Sequence, residues 1–308
     1  MQRQLWHRMG ACFHCGPSVS GISVIKCPAP WVRSLRYVGL QPKTQRAYRL
    51  ALASFLKYIK KSKICCRNHR KLDAAVADYI STSYQKADPI AYSGHLLSAL
   101  KRFHPELRLK LPNSSQLYRN WTRAYAPKRA VPASWELVEA LIAKAMANQM
   151  PKLGLLLGVA FHCMLRTSEL LSLTHGHIMV HDSQQAMSVV LPTSKTSEGN
   201  PQVLQVEDPV LISMAKELLR RKRKQQLIWT RSTGSFRQTF QDLLQGLGFQ
   251  PQSYFPDSLR RGGATWYYQR TLSLDATVMR GRWSCRKTAR IYIDSGTLQL
   301  THLTWSGK

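Results

Sequence analysis

Acidic side chains are scarce in this sequence. Its 308 residues include 16 Asp+Glu against 45 Lys+Arg, a formal net charge of +29, and no acid precedes Asp73. No dense Asp/Glu cluster is available to hold Mg²⁺, so no metal or other cofactor is expected. Long apolar runs are also lacking. The longest, Leu153 to Leu165, is interrupted by His162 and is too short to span a bilayer. The opening segment MQRQLWHRMGACFHCG lacks the apolar block of a secretory signal. Neither a membrane-spanning helix nor a membrane partner is expected. Cysteine pairs are few as well. The seven cysteines are an odd number and scattered, which argues against a disulfide framework and for a reducing compartment. Cys12 and Cys15 form a CxxC near His7 and His14, but no second pair follows at zinc-finger spacing.

What the chain does have is a folded composition with a large charge excess. Hydrophobic residues make up 44%, which excludes a disordered basic arm. A folded chain this basic repels itself unless a polyanion neutralises it, so nucleic acid is the expected partner. The excess is uneven. Residues 1–132 carry 24 basic and 4 acidic side chains, net +20, and residues 133–308 carry 21 and 12, net +9. That division predicts a first half that grips phosphates and a second half with more specialised work.

Periodicity divides the chain further. Residues 1–40 show no pattern and read as a poorly ordered leader, with organelle targeting one reading of their acid-free composition. From Gln41, the residues Tyr48, Leu52, Phe55, Leu56 and Ile59 recur at helical spacing. Lys43, Arg46, Arg49, Lys57, Lys60 and Lys61 lie mostly off that stripe and are candidate DNA-binding residues. Further helices are expected at about 71–85, 90–104 and 114–125, giving an all-helical unit over 41–125. Its aromatics read as core more readily than as base-stacking platforms. Residues 126–133, with two prolines nearby, read as a linker.

The second unit, 134–308, is expected to open on a helix capped by Ser134. A buried helix at 151–165 follows, then another from Thr167. Strands are expected near 177–181, 187–192 and 202–206. Helices resume at about 209–224, 235–247, 260–270, 273–280 and 284–293. The predicted class is therefore mostly α, in two domains, the second with one small antiparallel sheet.

Four segments of that second unit carry chemistry. In CMLRTSELLSL, Arg166 follows an apolar run, where a guanidinium is costly to bury without an anion, and Glu169 sits one turn on to orient it. In LPTSKTSEGN, Lys195 begins a hairpin turn. In FPDSLRRGGATWYYQ, Arg260 and Arg261 precede two glycines at an expected helix start, read either as a phosphate clamp or as a solvated basic turn. In MRGRWSCRKTARIYID, Ser284 is the expected cap of a short helix ending near Tyr292. Taken singly, each has a structural reading: an ion pair, a surface lysine, a turn and a core tyrosine.

In this order the four segments resemble the tyrosine recombinase (phage integrase) family over about residues 41–293. The resemblance implies a helical core-binding domain and a catalytic domain that close on double-stranded DNA, and self-association as a tetramer on that DNA. It implies DNA strand cleavage and rejoining through a 3′-phosphotyrosyl intermediate, as in recombination or integration of a mobile element. Tyr292 would be the nucleophile, Arg166 and Arg260 the phosphate clamp, and Lys195 the general acid. Glu169 would be the supporting acid, and Trp283 occupies a position where the family has His or Trp. One position departs from the pattern. Asp257 stands where the family usually has His, and an ionised carboxylate is acceptor-only and repels phosphate. A protonated Asp257, a shifted Arg261 or a catalytically impaired DNA-binding descendant are the alternatives. A type IB topoisomerase-like activity and RNA binding are further readings. A DNA partner implies the nucleus in a eukaryote and the cytoplasm in a prokaryote.

Overall fold

The computed structural model describes residues 39–66, 68–125, 130–181, 185–191, 201–220, 223–250 and 253–293. The leader with its CxxC, the SKTSEGN turn with Lys195, and the tail beyond Ile293 lie outside the described residues. The chain forms two compact units, Met1–Pro127 and Lys128–Lys308.

The first unit is all helical: α1 (Pro42–Lys61), α2 (His69–Gln85), α3 (Ile90–Phe103) and α4 (Pro112–Ala124), with a 3₁₀ turn at Pro105–Leu107. Its core draws on the apolar stripe of α1, with Leu52 and Phe55 packed among Leu72, Val76, Ile80, Leu96 and Leu100. The expected Ile59 is only partly buried. Tyr79 and Trp121 are buried, whereas Tyr84, Tyr92 and Tyr125 are exposed. Asp73, the first acid of the chain, is buried. It accepts from the backbone N–H groups of Asn113 and Ser114, each at 3.0 Å, and from the Ser114 hydroxyl at 2.6 Å. Burying that carboxylate is compatible with folding because the start of α4 supplies donors that no helical carbonyl can use.

The second unit is helical around one small sheet. Helices α5 (Trp135–Ala147), α6 (Pro151–His162) and α7 (Thr167–Leu171) precede β1 (Ile178–His181), β2 (Ala186–Leu191) and β3 (Gln202–Val206). Both strand pairs are antiparallel, and Val189 sits opposite Ile178 on one side and Leu204 on the other. The chain continues as α8 (Pro209–Leu219), α9 (Thr233–Gln245), α10 (Pro256–Thr271), α11 (Leu274–Gly281) and α12 (Arg286–Tyr292). Ser134 caps α5, accepting from Leu137 N–H at 3.3 Å. Helix α6 is buried all round from Leu153 to His162 and forms the centre of the core.

Three sequence expectations are corrected. Helix α6 stops at His162, not at residue 165, because Met164 takes a left-handed conformation with φ 47° and Arg166 is extended. Helix α10 begins at Pro256, four residues before the expected start. Proline at the first helical position needs no N–H partner. Arg260 to Gly263 therefore lie inside the helix and are buried, so they form neither a helix-start clamp nor a solvated turn. The glycines serve packing instead. A Cβ on Gly262 would meet the Ala133 carbonyl oxygen at 1.9 Å, and one on Gly263 the Phe161 carbonyl oxygen at 2.0 Å. Finally, Cys285 rather than Ser284 is the N-cap of α12.

Candidate active site

The site is built on the carboxyl end of α6. The last carbonyls of a helix have no partner within it and carry partial negative charge, so they attract cations. Here three arginines from later in the chain take them. Arg280 Nε donates to the His162 carbonyl at 3.0 Å, and Arg282 Nη1 donates to that of Cys163 at 2.8 Å. The Met164 carbonyl accepts from Arg282 Nη2 at 3.2 Å and also from Arg260 Nη1. Arg260 also donates from Nη2 to the Gly281 carbonyl at 2.8 Å, while its buried Nε has no hydrogen-bond partner.

Two residues on, Arg166 is the N-cap of α7 and Glu169 stands in its first turn. Glu169 Oε2 accepts the Arg166 backbone N–H at 2.9 Å, and Oε1 accepts Arg166 Nη1. The same carboxylate accepts Arg282 Nη2 at 2.9 Å and lies 4.0 Å from Arg260. One carboxylate thus faces three guanidinium groups, leaving a local excess of positive charge. Burial by itself pushes the Glu169 carboxyl up. The Arg166 backbone N–H, the Arg282 guanidinium and the Arg166 side chain outweigh it and hold the carboxyl below its ordinary value. For Arg260 the balance runs the other way. Burial, then the neighbouring charges of Arg166 and Arg282, pull its pKa down to about 10, against partial support from Glu169 and Tyr292. It remains protonated at neutral pH. A buried cation made less favourable by its own neighbours is one that an incoming anion would relieve.

The aromatic half of the site covers Arg260. Its guanidinium carbon lies 4.8 Å from the Trp283 ring centroid and 5.3 Å from that of Tyr292. The two rings are 5.1 Å apart and tilted by 32°. Trp283 lies so tightly on Gly281 that a Cβ there would meet its ring at 1.9 Å. Arg261 donates from Nη1 to the Ile291 carbonyl at 2.8 Å, and its guanidinium carbon lies 6.0 Å from the Tyr292 ring. Thr265 Oγ1 lies 3.4 Å from the Tyr292 carbonyl oxygen. Tyr292, at the end of α12, is thereby held beside Arg260 and Arg261 of its own chain.

No family model and no curated protein sequence matches the chain. Solved structures do. XerH site-specific recombinase, bound to a palindromic difH substrate in a post-cleavage complex, matches at TM-score 0.60 and 15% identity, covering 85% of this chain and 79% of that one. The Tn1549 transposon integrase with circular intermediate DNA matches at TM-score 0.59 and 13% identity, covering 86% and 95%. A lambda integrase (75–356) dimer on a COC′ core site matches at 0.57 and 14%, covering 84% and 91%. The chain has the tyrosine recombinase fold.

Within that fold, the structure brings together Arg166, Glu169, Arg260, Arg261, Trp283 and Tyr292, drawn from α7, α10, the turn after α11, and α12. Arg260 is the most enclosed, at 1% exposure, whereas the Arg166 side chain is 37% exposed. Asp257 is exposed in the first turn of α10, where a carboxylate suits the positive end of the helix. Lys195 lies between β2 and β3, outside the described residues. The six basic candidates of α1 (Lys43, Arg46, Arg49, Lys57, Lys60 and Lys61) are all exposed. At 3.6 residues per turn they fall within an arc of about 120° on one face. Sequence reasoning assigned no role to Arg280 or Arg282, although both lie in the segment MRGRWSCRKTARIYID. The signal available was GRW, an arginine between a glycine and a tryptophan. Among the described residues, no group of His, Cys, Asp and Glu could hold a metal ion, and no helix is long and apolar enough to cross a membrane.

Proposed function

We propose that the chain cleaves and rejoins DNA strands, as in site-specific recombination or integration of a mobile element. The observation that carries this reading is Tyr292 packed against Arg260 in the tyrosine recombinase fold, with Arg166 and its Glu169 brace one carboxylate away. Cleavage of a phosphodiester builds negative charge on the nonbridging oxygens. Arg166 and Arg260 are the groups for that charge, and guanidinium donors match it in geometry and sign. Tyr292 Oη attacks phosphorus and loses its proton to solvent. The P–O5′ bond breaks, and Lys195 gives a proton to the departing 5′-oxygen. The phosphotyrosyl link conserves the bond energy, so a 5′-hydroxyl of a second strand reverses the step without a nucleotide cofactor. Charge neutralisation by Arg and Lys requires no metal. The basic face of α1 would hold the duplex backbone, and a tetramer on two duplexes would allow strand exchange. In support, a solved lambda integrase relative is a tetramer bound to a Holliday junction.

The test is covalent trapping. The protein is incubated with a library of nicked duplexes of randomised sequence, and protein–DNA adducts are separated on denaturing gels. An adduct lost in Tyr292→Phe supports the reading, and sequencing the trapped DNA identifies the site. Duplex binding without any adduct favours the second reading, a DNA-binding protein of this fold that does not cleave. Asp257, exposed where the family's histidine usually stands, favours that reading. Asp257→His separates the two, since a gain in adduct marks Asp257 as the lesion.

A further inference from the structure

Arg282 stands in an unusual place. It terminates α11 in the left-handed conformation, with φ 57° and ψ 44°. Glycine adopts that conformation freely and arginine only with strain, yet the position is not glycine. Nor does the side chain reach for solvent, since it is 5% exposed. Its donors are directed inward, with Nη1 to the Cys163 carbonyl at 2.8 Å and Nη2 to Glu169 Oε2 at 2.9 Å and the Met164 carbonyl at 3.2 Å. The same Met164 carbonyl holds Arg260, and the same Glu169 carboxylate holds Arg166. Arg282 is therefore joined to both clamp arginines through shared acceptors, and it directly precedes Trp283, whose ring covers Arg260.

We propose that Arg282 is a positioning residue for strand cleavage: its buried guanidinium ties the Glu169 carboxylate to the turn after α6 and so aims Arg166 at the scissile phosphate. This rests on the strand-cleavage reading. In this proposal Arg282 acts through Glu169 and not by touching DNA. With it absent, Glu169 loses its anchor to the α6 turn and Arg166 loses a fixed partner. The charge on the clamp remains, but its direction is lost. A displacement of about 1 Å at such a site costs a reaction about 100-fold.

The experiment compares wild type, Arg282→Met, Arg282→Lys and the double variant Arg282→Met/Glu169→Gln on the nicked duplex recovered by trapping. Single-turnover cleavage at saturating protein, duplex Kd and melting temperature are measured for each. Arg282→Met should cleave about 100-fold more slowly with Kd unchanged, and Arg282→Lys should recover part of the rate. Arg282→Met leaves a buried carboxylate short of a partner, so its melting temperature falls. The double variant neutralises that carboxylate and should recover the melting temperature but not the rate. An unchanged rate in Arg282→Met, measured below its melting transition, shows Arg282 to be a counter-ion for folding only and overturns the proposal. A readout free of cleavage is the phenylglyoxal modification rate of Arg166, measured by peptide mass spectrometry. It should rise in Arg282→Met, and an unchanged rate overturns the proposal. If wild type forms no adduct, the cleavage reading falls, and the phenylglyoxal comparison alone decides whether Arg282 positions Arg166.

Discussion

Lowering the pH should destabilise the second unit through a single histidine. His162 ends α6, with its ring buried among Trp135, Phe161 and Trp266 at centroid distances of 4.5, 5.7 and 5.2 Å. Asp208 is its nearest carboxylate, 3.9 Å away, and Arg280 and Arg270 oppose a further positive charge. Burial, the largest cause, lowers the His162 pKa from 6.5 to about 4 against the pull of Asp208. The folded state thus keeps the ring neutral while the unfolded chain takes up a proton below pH 6.5. The stabilisation is complete above that pH and is lost progressively down to about pH 4. At about 1.4 kcal/mol per pKa unit, the shift amounts to about 3 kcal/mol by pH 4 and about 2 kcal/mol by pH 5. His162→Phe keeps a ring in the aromatic cluster and removes the proton. Urea denaturation of both proteins from pH 7.5 to 5 is the assay. The wild-type stability should fall about 2 kcal/mol further than that of the variant. Parallel curves would refute the reasoning, because every other titrating group is common to both proteins. The consequence reaches the site, since the His162 carbonyl anchors Arg280 and the next two carbonyls anchor Arg282 and Arg260.

Other outcomes follow from the same geometry. Arg166→Ala removes an accessible phosphate donor and should slow adduct formation about 10²–10³-fold, with little change in duplex Kd by gel shift. Gly263→Ala places a methyl against the Phe161 carbonyl and should lower urea-derived stability by about 1–3 kcal/mol. Replacing the six basic residues of α1 with glutamine should flatten the log–log salt dependence of duplex binding by about 5, at about 0.9 for each phosphate no longer neutralised. Asp257→His should raise adduct yield in the trapping assay, because an imidazole can donate to a phosphate oxygen that a carboxylate repels.

The helices and the sheet were largely legible because their signals are local. The stripe of α1, the cap at Ser134, and the β-branched runs of β1 to β3 act within a few residues of themselves. Boundaries failed where a distant partner decides them. Pro256 was a local start signal for α10 that the reading passed over, but nothing near residue 260 says that Gly262 and Gly263 exist to admit the Ala133 and Phe161 carbonyls. Arg282 was hidden for the same reason. In sequence it is one base among Arg280, Arg286, Lys287 and Arg290. In the fold it alone among these reaches Glu169, more than a hundred residues away in the chain.

By itself the sequence determined the kind of partner and the kinds of chemical group. A folded chain at +29 calls for a polyanion, and the order of Arg166, Lys195, Arg260, Trp283 and Tyr292 resembles that of one family, whose fold the structure then bears out. Only the tertiary structure decided which of the many bases are held at the site and which face water. Burial, not sequence, makes a guanidinium depend on its acceptors. Those acceptors, the carbonyls at the end of α6 and the carboxylate of Glu169, converge only when α10, α11 and α12 pack around that helix end.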